Sequence, residues 1–162
     1  MQVNEIMTRD VWSCRPDDSL EHAAQLMWDH DCGCLPVCEG NGHRRVVGVI
    51  TDRDICMGAL FQGKPLRELS VGQSMAKQPL ACQAQHSLEQ AEHAMRNARV
   101  RRLPVIDDQG TLIGILSLAD IAREATAEQS LSSRKVTEVE VNDTLAYICG
   151  VARQSPATSK PA

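Results

Sequence analysis

Apolar residues recur with helical spacing in two separate stretches of the chain. In the first, positions 20, 23, 24, 27 and 28 are apolar, which is the i, i+3, i+4, i+7 spacing of an amphipathic helix. Asp17, Asp18 and Ser19 precede it and are typical of a helix start. The second stretch opens with Ser87 and Gln90, a capping-box pattern, and is apolar at positions 88, 91, 95 and 98. Both stretches are therefore predicted to be helices.

Each predicted helix is followed by two short apolar runs that are typical of strands. They are residues 35–37 and 46–50 after the first helix, and residues 103–106 and 112–116 after the second. In both cases a turn rich in Gly, Asn or Asp separates the two runs, as in a hairpin. The second run of each pair leads directly into another predicted helix, which begins at Thr51 or at Ser117.

The two halves of the chain repeat each other. Met7 and Cys14 match Met75 and Cys82 at an offset of 68, and the Leu-Pro-Val sequence of the first hairpin recurs in the second at the same offset. After a hairpin turn that is two residues longer in the first half, the offset becomes 66, and GVITDRDI aligns with GILSLADI. A length difference confined to a turn is what a surface hairpin tolerates.

This pattern predicts an α/β (α+β) protein made of two tandem β-α-β-β-α repeats. Each sheet alone would expose an apolar face, so we expect the repeats to pack around a pseudo-twofold axis. The predicted boundaries are residues 1–62 for the first repeat, 63–68 for a linker and 69–128 for the second repeat. We expect a C-terminal extension over residues 129–153, with an extended piece near Val136 to Val141 and a short helix after Asp143, and a disordered tail over residues 154–162.

Composition and charge narrow the partners. The chain of 162 residues has a net charge of −4 and only two Trp, one Tyr and one Phe, so it has few charges or rings with which to bind nucleic acid. Its longest apolar runs are far shorter than the roughly 20 residues of a membrane span, and its first residues lack the pattern of a signal peptide. Seven cysteines, an odd number with mostly apolar neighbours, are typical of reduced thiols, so a cytoplasmic location is predicted.

The aligned octapeptides place a hydroxyl residue at the end of a strand and an Asp three residues later. The pairs are Thr51 with Asp54 and Ser117 with Asp120. In one interpretation each pair only caps a helix. In the other, the helix N-terminus offers amide donors to a phosphate while the carboxylate accepts hydrogen bonds from a ribose diol. Spacing alone leaves both interpretations open.

The twofold repeat, the two Leu-Pro-Val hairpins and GVITDRDI together resemble the cystathionine-β-synthase (CBS) domain pair, also called the Bateman module. The resemblance implies a regulatory protein, not an enzyme, that binds AMP, ADP, ATP, NAD or S-adenosylmethionine between its repeats and signals occupancy by a change of shape or of partner affinity. It requires no cofactor. By the same resemblance Asp54 and Asp120 would hold ribose hydroxyls, and the backbone near Val11 and Pro79 would contact adenine.

The resemblance also implies that the two clefts differ. Arg101 and Arg102 precede the second Leu-Pro-Val sequence, and with Arg53 they are expected to surround a phosphate at the Thr51/Asp54 cleft. The second cleft, at Ser117 and Asp120, is expected to be weaker or to suit a nucleoside. A homodimer is also implied, in which the apolar helix faces carrying Met27, Trp28, Met57 and Met95 pack against a second copy. The regulated protein partner is unknown.

Two other classes of function compete with a nucleotide sensor. One is a ligand-free interaction scaffold, in which the hydroxyl and Asp residues only cap helices. The other is a thiol-based redox or metal protein that uses Cys32, Cys34 and Cys38, although their spacing lacks the paired CxxC of zinc sites. Residues 58–64 have P-loop spacing, but Pro65 replaces the hydroxyl that would bind Mg²⁺, so they are interpreted as a helix end and linker.

Overall fold

A computed structural model describes residues 1–40, 44–127 and 145. The molecule is a mixed α+β protein with two three-stranded sheets, which confirms the predicted fold class. The predicted tail and, apart from residue 145, the predicted C-terminal extension lie outside the described residues, as does part of the first hairpin turn.

From the first long helix of each half onward, the helices and strands follow the predicted order, whereas the short helix at the start of each half and the strand of residues 76–77 were not predicted. A single turn of 3-10 helix, Leu66–Glu68, lies between the two repeats. In chain order the elements are α1 (Val3–Ile6), α2 (Leu20–Asp29), β1 (Cys34–Glu39), β2 (Arg45–Thr51), α3 (Asp52–Gln62), α4 (Val71–Ser74), β3 (Ala76–Lys77), β4 (Cys82–Gln83), α5 (Leu88–Ala98), β5 (Arg102–Ile106), β6 (Leu112–Ser117) and α6 (Leu118–Ala127).

Local sequence explains where the main helices begin and end. The side chain of Ser19 accepts a hydrogen bond from the backbone N–H of His22 and so caps α2. Ser87 and Gln90 form the predicted capping box at the start of α5. Helix α3 ends at Gly63, whose φ of 61° lies in the left-handed region that favours glycine.

The strand predicted before each long helix is reduced in length. In the second repeat it is the two-residue strand β4, which pairs in parallel with β5. In the first repeat it is a single bridge between Cys14 and Val37, where Cys14 donates to the carbonyl of Pro36 and accepts from the N–H of Cys38. The extended pairing predicted for this position thus lasts for only one residue.

The first segment of each repeat packs against the other repeat. Thr8 exchanges two backbone hydrogen bonds with Ile115 of β6, and Ala76 of β3 lies opposite Val49 of β2. Two glycines allow this approach. A Cβ on Gly114 would lie 3.0 Å from the carbonyl oxygen of Thr8, and one on Gly48 would lie 3.0 Å from that of Ala76.

Each core is aliphatic and includes side chains from the incoming segment. Val3 and Met7 are buried with the second repeat, and Leu69 and Val71 are buried with the first. The two hairpins also meet each other, since the N–H of Leu112 donates to the carbonyl of Arg44. Burial of apolar surface in these two connected cores is the main term that stabilises the fold.

Several large apolar side chains remain outside the cores. Trp28, Leu60 and Phe61 are each at least 70% exposed. Trp28 borders a cavity of about 650 Å³ between α2 and α3, which we call the apolar groove and define by Ala24, Met27, Trp28, Ile55, Cys56 and Ala59. No helix among residues 1–40 and 44–127 is long and apolar enough to cross a bilayer.

Candidate functional site

Both hydroxyl–aspartate pairs form capping boxes. In the first, the N–H and Oγ1 of Thr51 donate to Oδ2 of Asp54 over 2.9 and 2.7 Å, and the N–H of Asp54 donates to Oγ1 of Thr51 over 3.2 Å. In the second, the corresponding distances between Ser117 and Asp120 are 2.7, 2.5 and 3.2 Å. One oxygen of each carboxylate therefore stabilises the start of a helix, whatever else the group does.

The second oxygen is placed differently in the two pairs. Oδ1 of Asp120 forms an ion pair with Arg123 and lies 3.5 Å from the hydroxyl of Thr8. The side chain of Asp120 is 4% exposed, whereas that of Arg123 is 71% exposed. Asp54 is only half-buried, and within the described part of the chain no hydrogen bond or ion pair reaches its Oδ1. Only the second carboxylate is therefore buried beside a cation.

A cavity of about 290 Å³ opens beside Ser117 and Asp120, and we call it the Asp120 cavity. Its walls come from both repeats. The second repeat contributes Ser117, Asp120, Arg123 and Arg102, and the first contributes Val11, Trp12, His30 and Cys34. The volume lies at the lower end of the range for small-molecule sites, roughly 300 Å³. The cavity thus combines three carboxylates (Asp10, Asp31 and Asp120), the hydroxyls of Thr8 and Ser117, two guanidinium groups and an aromatic wall.

Four of the residues predicted from the sequence meet in this cavity: Val11, Arg102, Ser117 and Asp120. Arg102 was expected at the Thr51/Asp54 cleft, and the structure places it in the wall of the Asp120 cavity instead. The reason is its position in the sheet, where Arg102 of β5 lies directly opposite Ser117 of β6. Arg102 therefore lies beside the second hydroxyl–aspartate pair, and the phosphate site expected at the first cleft stays a prediction.

The remaining predicted residues do not line the Asp120 cavity. Arg101 is exposed, and its carbonyl accepts a hydrogen bond from the N–H of Leu118. Arg53 is exposed on α3, and Pro79 is half-buried in the loop after β3. Asp54 lines a separate hollow between α3 and α4, where its neighbours include Phe61, and none of the predicted arginines lies there.

Sequence reasoning missed several contributors to the Asp120 cavity, among them Arg123, Trp12, His30 and the carboxylates of Asp10 and Asp31. Arg123 lies one helical turn after Asp120, and that i, i+3 spacing was the signal for it. Trp12 and His30 are 18 positions apart in the sequence and stack with ring centroids 3.8 Å apart and an angle of 8° between their planes. Arg44 was also missed, and its guanidinium donates to the carbonyl of Val11 and to the hydroxyl of Ser13, on either side of Trp12.

The cysteines favour packing over thiolate chemistry. Burial raises the pKa of the Cys34 thiol to about 11, although the nearby Arg102 acts in the opposite direction. Burial also raises the pKa of Cys38. A thiol with a raised pKa is a poor nucleophile and metal ligand near neutral pH. Within residues 1–40 and 44–127, no three or more His, Cys, Asp or Glu side chains lie together as a metal site would need.

Comparisons with known proteins agree with this architecture. A family model described as "CBS domain" matches the chain twice, over residues 3–58 and 67–127. The CBS domain-containing protein YhcV of Bacillus subtilis is 33% identical over 131 residues, which are 81% of this chain and 90% of the relative.

Two solved structures are similar in fold and sequence. CBSX2 of Arabidopsis thaliana in complex with AMP has a TM-score of 0.67 and 29% identity, and the match covers 79% of this chain and 98% of that one. Hypoxic Response Protein I with two coordinated zinc ions has a TM-score of 0.68 and 33% identity, over 76% of this chain and 98% of that one.

Proposed function

The chain belongs to the CBS-domain family, and from that premise we propose that it is a regulatory, non-catalytic CBS pair that binds an adenine nucleotide in the Asp120 cavity. Occupancy would be transmitted as a change of conformation or of affinity for a protein partner. Such a signal requires that the nucleotide bind two states of the protein with different affinities.

The observation that carries the proposal is the set of groups that meet in the Asp120 cavity. The carboxylate of Asp120 can accept hydrogen bonds from a ribose diol at Oδ1 when the diol displaces the hydroxyl of Thr8 and the exposed guanidinium of Arg123 from that oxygen. Arg102 and Arg123 can bind a phosphate with charge-assisted hydrogen bonds. The backbone near Val11 can contact the edge of the base. The AMP bound by CBSX2 supports this class of ligand.

This proposal reverses the order of the clefts that the sequence suggested. We now assign the phosphate-binding role to the Asp120 cavity, because Arg102 and Arg123 both line it. The Thr51/Asp54 cleft becomes the weaker site, since Arg53 is exposed and does not line the hollow that contains Asp54. AMP is the nucleotide we favour, and ATP and NAD are alternatives that need more room than about 290 Å³.

We further propose that the apolar groove is the contact surface of a homodimer. Trp28 is 84% exposed and borders this groove, and an exposed apolar patch of this kind on a small protein is usually covered by a partner. The proposal includes no required cofactor, nucleic acid or membrane. The protein that reads the signal is not identified by any feature of the chain.

Titration calorimetry with AMP on Asp120→Asn and Asp54→Asn tests the nucleotide-binding role. The two substitutions are matched, because each alters a carboxylate that completes a capping box of the same geometry. We expect Asp120→Asn to weaken AMP binding by about tenfold or more, which is the effect of losing a charged hydrogen-bond partner. Asp54→Asn should change it by less than about threefold. Equal losses in the two variants would contradict the assignment.

A ligand-free interaction scaffold is the second candidate. It is favoured by one observation, namely that both carboxylates already satisfy backbone amides in capping boxes. A thermal melt with added AMP separates the two functions. A sensor should gain about 2.7 kcal/mol of stability at 100 times the Kd, and a scaffold should gain none.

A further inference from the structure

The indole of Trp12 and the imidazole of His30 form a parallel stack that lines the Asp120 cavity. The ring centroids are 3.8 Å apart, and the planes are within 8° of parallel. This is the arrangement in which a nucleobase stacks on an aromatic side chain. A flat nitrogen heterocycle of the protein thus already covers one face of the indole, inside a cavity that also holds three carboxylates and two guanidinium groups.

The backbone around Trp12 is held in place on both sides. The guanidinium of Arg44 donates to the carbonyl of Val11 and, over 3.0 Å, to the hydroxyl of Ser13. The indole therefore projects from a fixed segment. Such a fixed aromatic face can bind a planar ligand at a small cost in conformational entropy.

The imidazole of His30 is less constrained. His30 is the residue at which α2 ends, and only its backbone N–H is used there, in bonds to carbonyls of the last turn. Among the described residues, the indole is the one ring or polar group recorded against its side chain. Rotation about its side-chain bonds would uncover the indole without altering the helix.

We propose that Trp12 is the base-stacking residue of the Asp120 cavity and that His30 occupies the place of the base until a ligand binds. A purine ring would replace the imidazole on the indole, while the sugar and phosphate face Asp120, Arg102 and Arg123. This inference rests on the proposed function and adds the ligand class, a nucleotide with an intact aromatic base. The exchange gives the cavity a closed state and an open state.

The two tryptophans of the chain allow a direct optical test. Trp28 lies in the apolar groove and not in the Asp120 cavity, so Trp28→Phe leaves Trp12 as the single tryptophan. In that variant AMP should quench the tryptophan emission with the same Kd that calorimetry gives. Ribose 5-phosphate, which has no aromatic ring to stack on the indole, should leave the emission unchanged. Equal quenching by ribose 5-phosphate would overturn the inference.

Substitutions at the two rings test the exchange itself. Trp12→Leu should weaken AMP binding by about tenfold, in the range that stacking contributes per base, whereas Trp12→Tyr, which keeps an aromatic face, should bind AMP with nearly the wild-type affinity. His30→Ala should leave AMP binding unchanged or tighten it, because the base no longer has a competitor. If His30→Ala weakens AMP binding as much as Trp12→Leu does, His30 supports the bound nucleotide, and the proposal that the base replaces its imidazole is wrong.

Failure of this inference can be told apart from failure of the proposed function. If the wild-type chain binds AMP and Trp12→Leu binds it equally well, the stacking role is wrong while the nucleotide-binding role stands. If the wild-type chain shows no heat and no change in emission with AMP, the proposed function itself fails. Far-ultraviolet circular dichroism of each variant confirms that the compared chains are folded.

Discussion

The two clefts of this protein share one backbone frame and differ in the side chains that it carries. Cys34 lies opposite Thr51 in the first sheet, and Arg102 lies opposite Ser117 at the equivalent place in the second. One turn into the following helix, Met57 of the first repeat corresponds to Arg123 of the second. Twofold symmetry of the fold therefore does not make two equal sites, because two substitutions move the positive charge to one of them.

Burial separates the two clefts further. Asp120 is 5% exposed, and Leu118 beside it is also buried, whereas Asp52 at the equivalent helix position is exposed. A carboxylate surrounded by protein interacts more strongly with a cation than one in solvent, since water screens the exposed pair. Asp54, the equivalent residue of the first repeat, caps its helix in the same way but, among the residues that the structure describes, is neither fully buried nor paired with a cation. The comparison leads to four further predictions.

The largest effect is expected at Gly48 and Gly114, where the first segment of one repeat packs closely against a strand of the other. Gly114→Val and Gly48→Val should each lower the free energy of unfolding by about 3 kcal/mol, because the new side chain overlaps a methionine and a carbonyl oxygen. Only Gly114→Val should also weaken AMP binding. The segment that the new side chain displaces carries Thr8 and Val11, and both residues line the Asp120 cavity. Urea denaturation and calorimetry measure the two effects. If either variant were as stable as the wild type, the close packing of that segment against the glycine would be contradicted.

The next effect concerns the thiol that takes the place of an arginine in the first repeat. Because the pKa of Cys34 is raised from 9.0 to about 11, its thiolate is about a hundredfold less populated near pH 8 than that of an ordinary cysteine. Iodoacetamide should therefore alkylate Cys34 about a hundredfold more slowly than an unshifted thiol, and the rate should rise as the pH approaches 11. Peptide mass spectrometry over time, with Cys34 in the urea-unfolded chain as the reference thiol, measures the ratio.

Phosphate recognition should be confined to the second cleft. Arg102→Ala should weaken AMP binding by about twentyfold, because a charge-assisted hydrogen bond contributes roughly 1.5–3 kcal/mol, and should barely change the affinity for adenosine. Arg53→Ala is the matched control, since it removes the same charge from an exposed position beside the first cleft. Calorimetry with both ligands gives the four affinities. A similar loss for adenosine would mean that Arg102 supports the cavity walls and does not bind phosphate.

The smallest effect should be the same in both repeats. Thr51→Ala and Ser117→Ala should each lower the stability by about 1 kcal/mol, because each removes one helix cap of the same geometry. Chemical denaturation in the absence of ligand checks this. A difference above about 1 kcal/mol would show that the two caps are not equivalent.

Much of the fold could be predicted from the sequence, because its signals are local. Capping residues such as Ser19 and Ser87, and apolar runs at fixed periods, determine elements without reference to distant parts of the chain. The internal repeat then predicted that the same hairpin recurs in both halves. The family resemblance correctly linked the chain to CBS pairs.

The arrangement of the cavity could not be predicted in the same way. Thr8 pairs with Ile115, more than a hundred positions away, and no local pattern in either segment encodes that pairing. Arg102 could have faced either cleft, since only the three-dimensional register places it opposite Ser117. The stack of Trp12 on His30 joins a loop to a helix end. Each of these depends on how distant elements pack, which is decided by the whole fold.

The packing of each repeat's first segment against the other repeat affects how the chain folds during synthesis. Strand β2 finds its edge partner only when Ala76 and Lys77 have been synthesised, and Thr8 has no partner until Ile115 has been made. Contacts between positions so far apart raise the contact order and slow folding. We expect a nascent chain that ends at residue 62 to remain incompletely folded at the ribosome. Each repeat then completes its fold only in contact with the other.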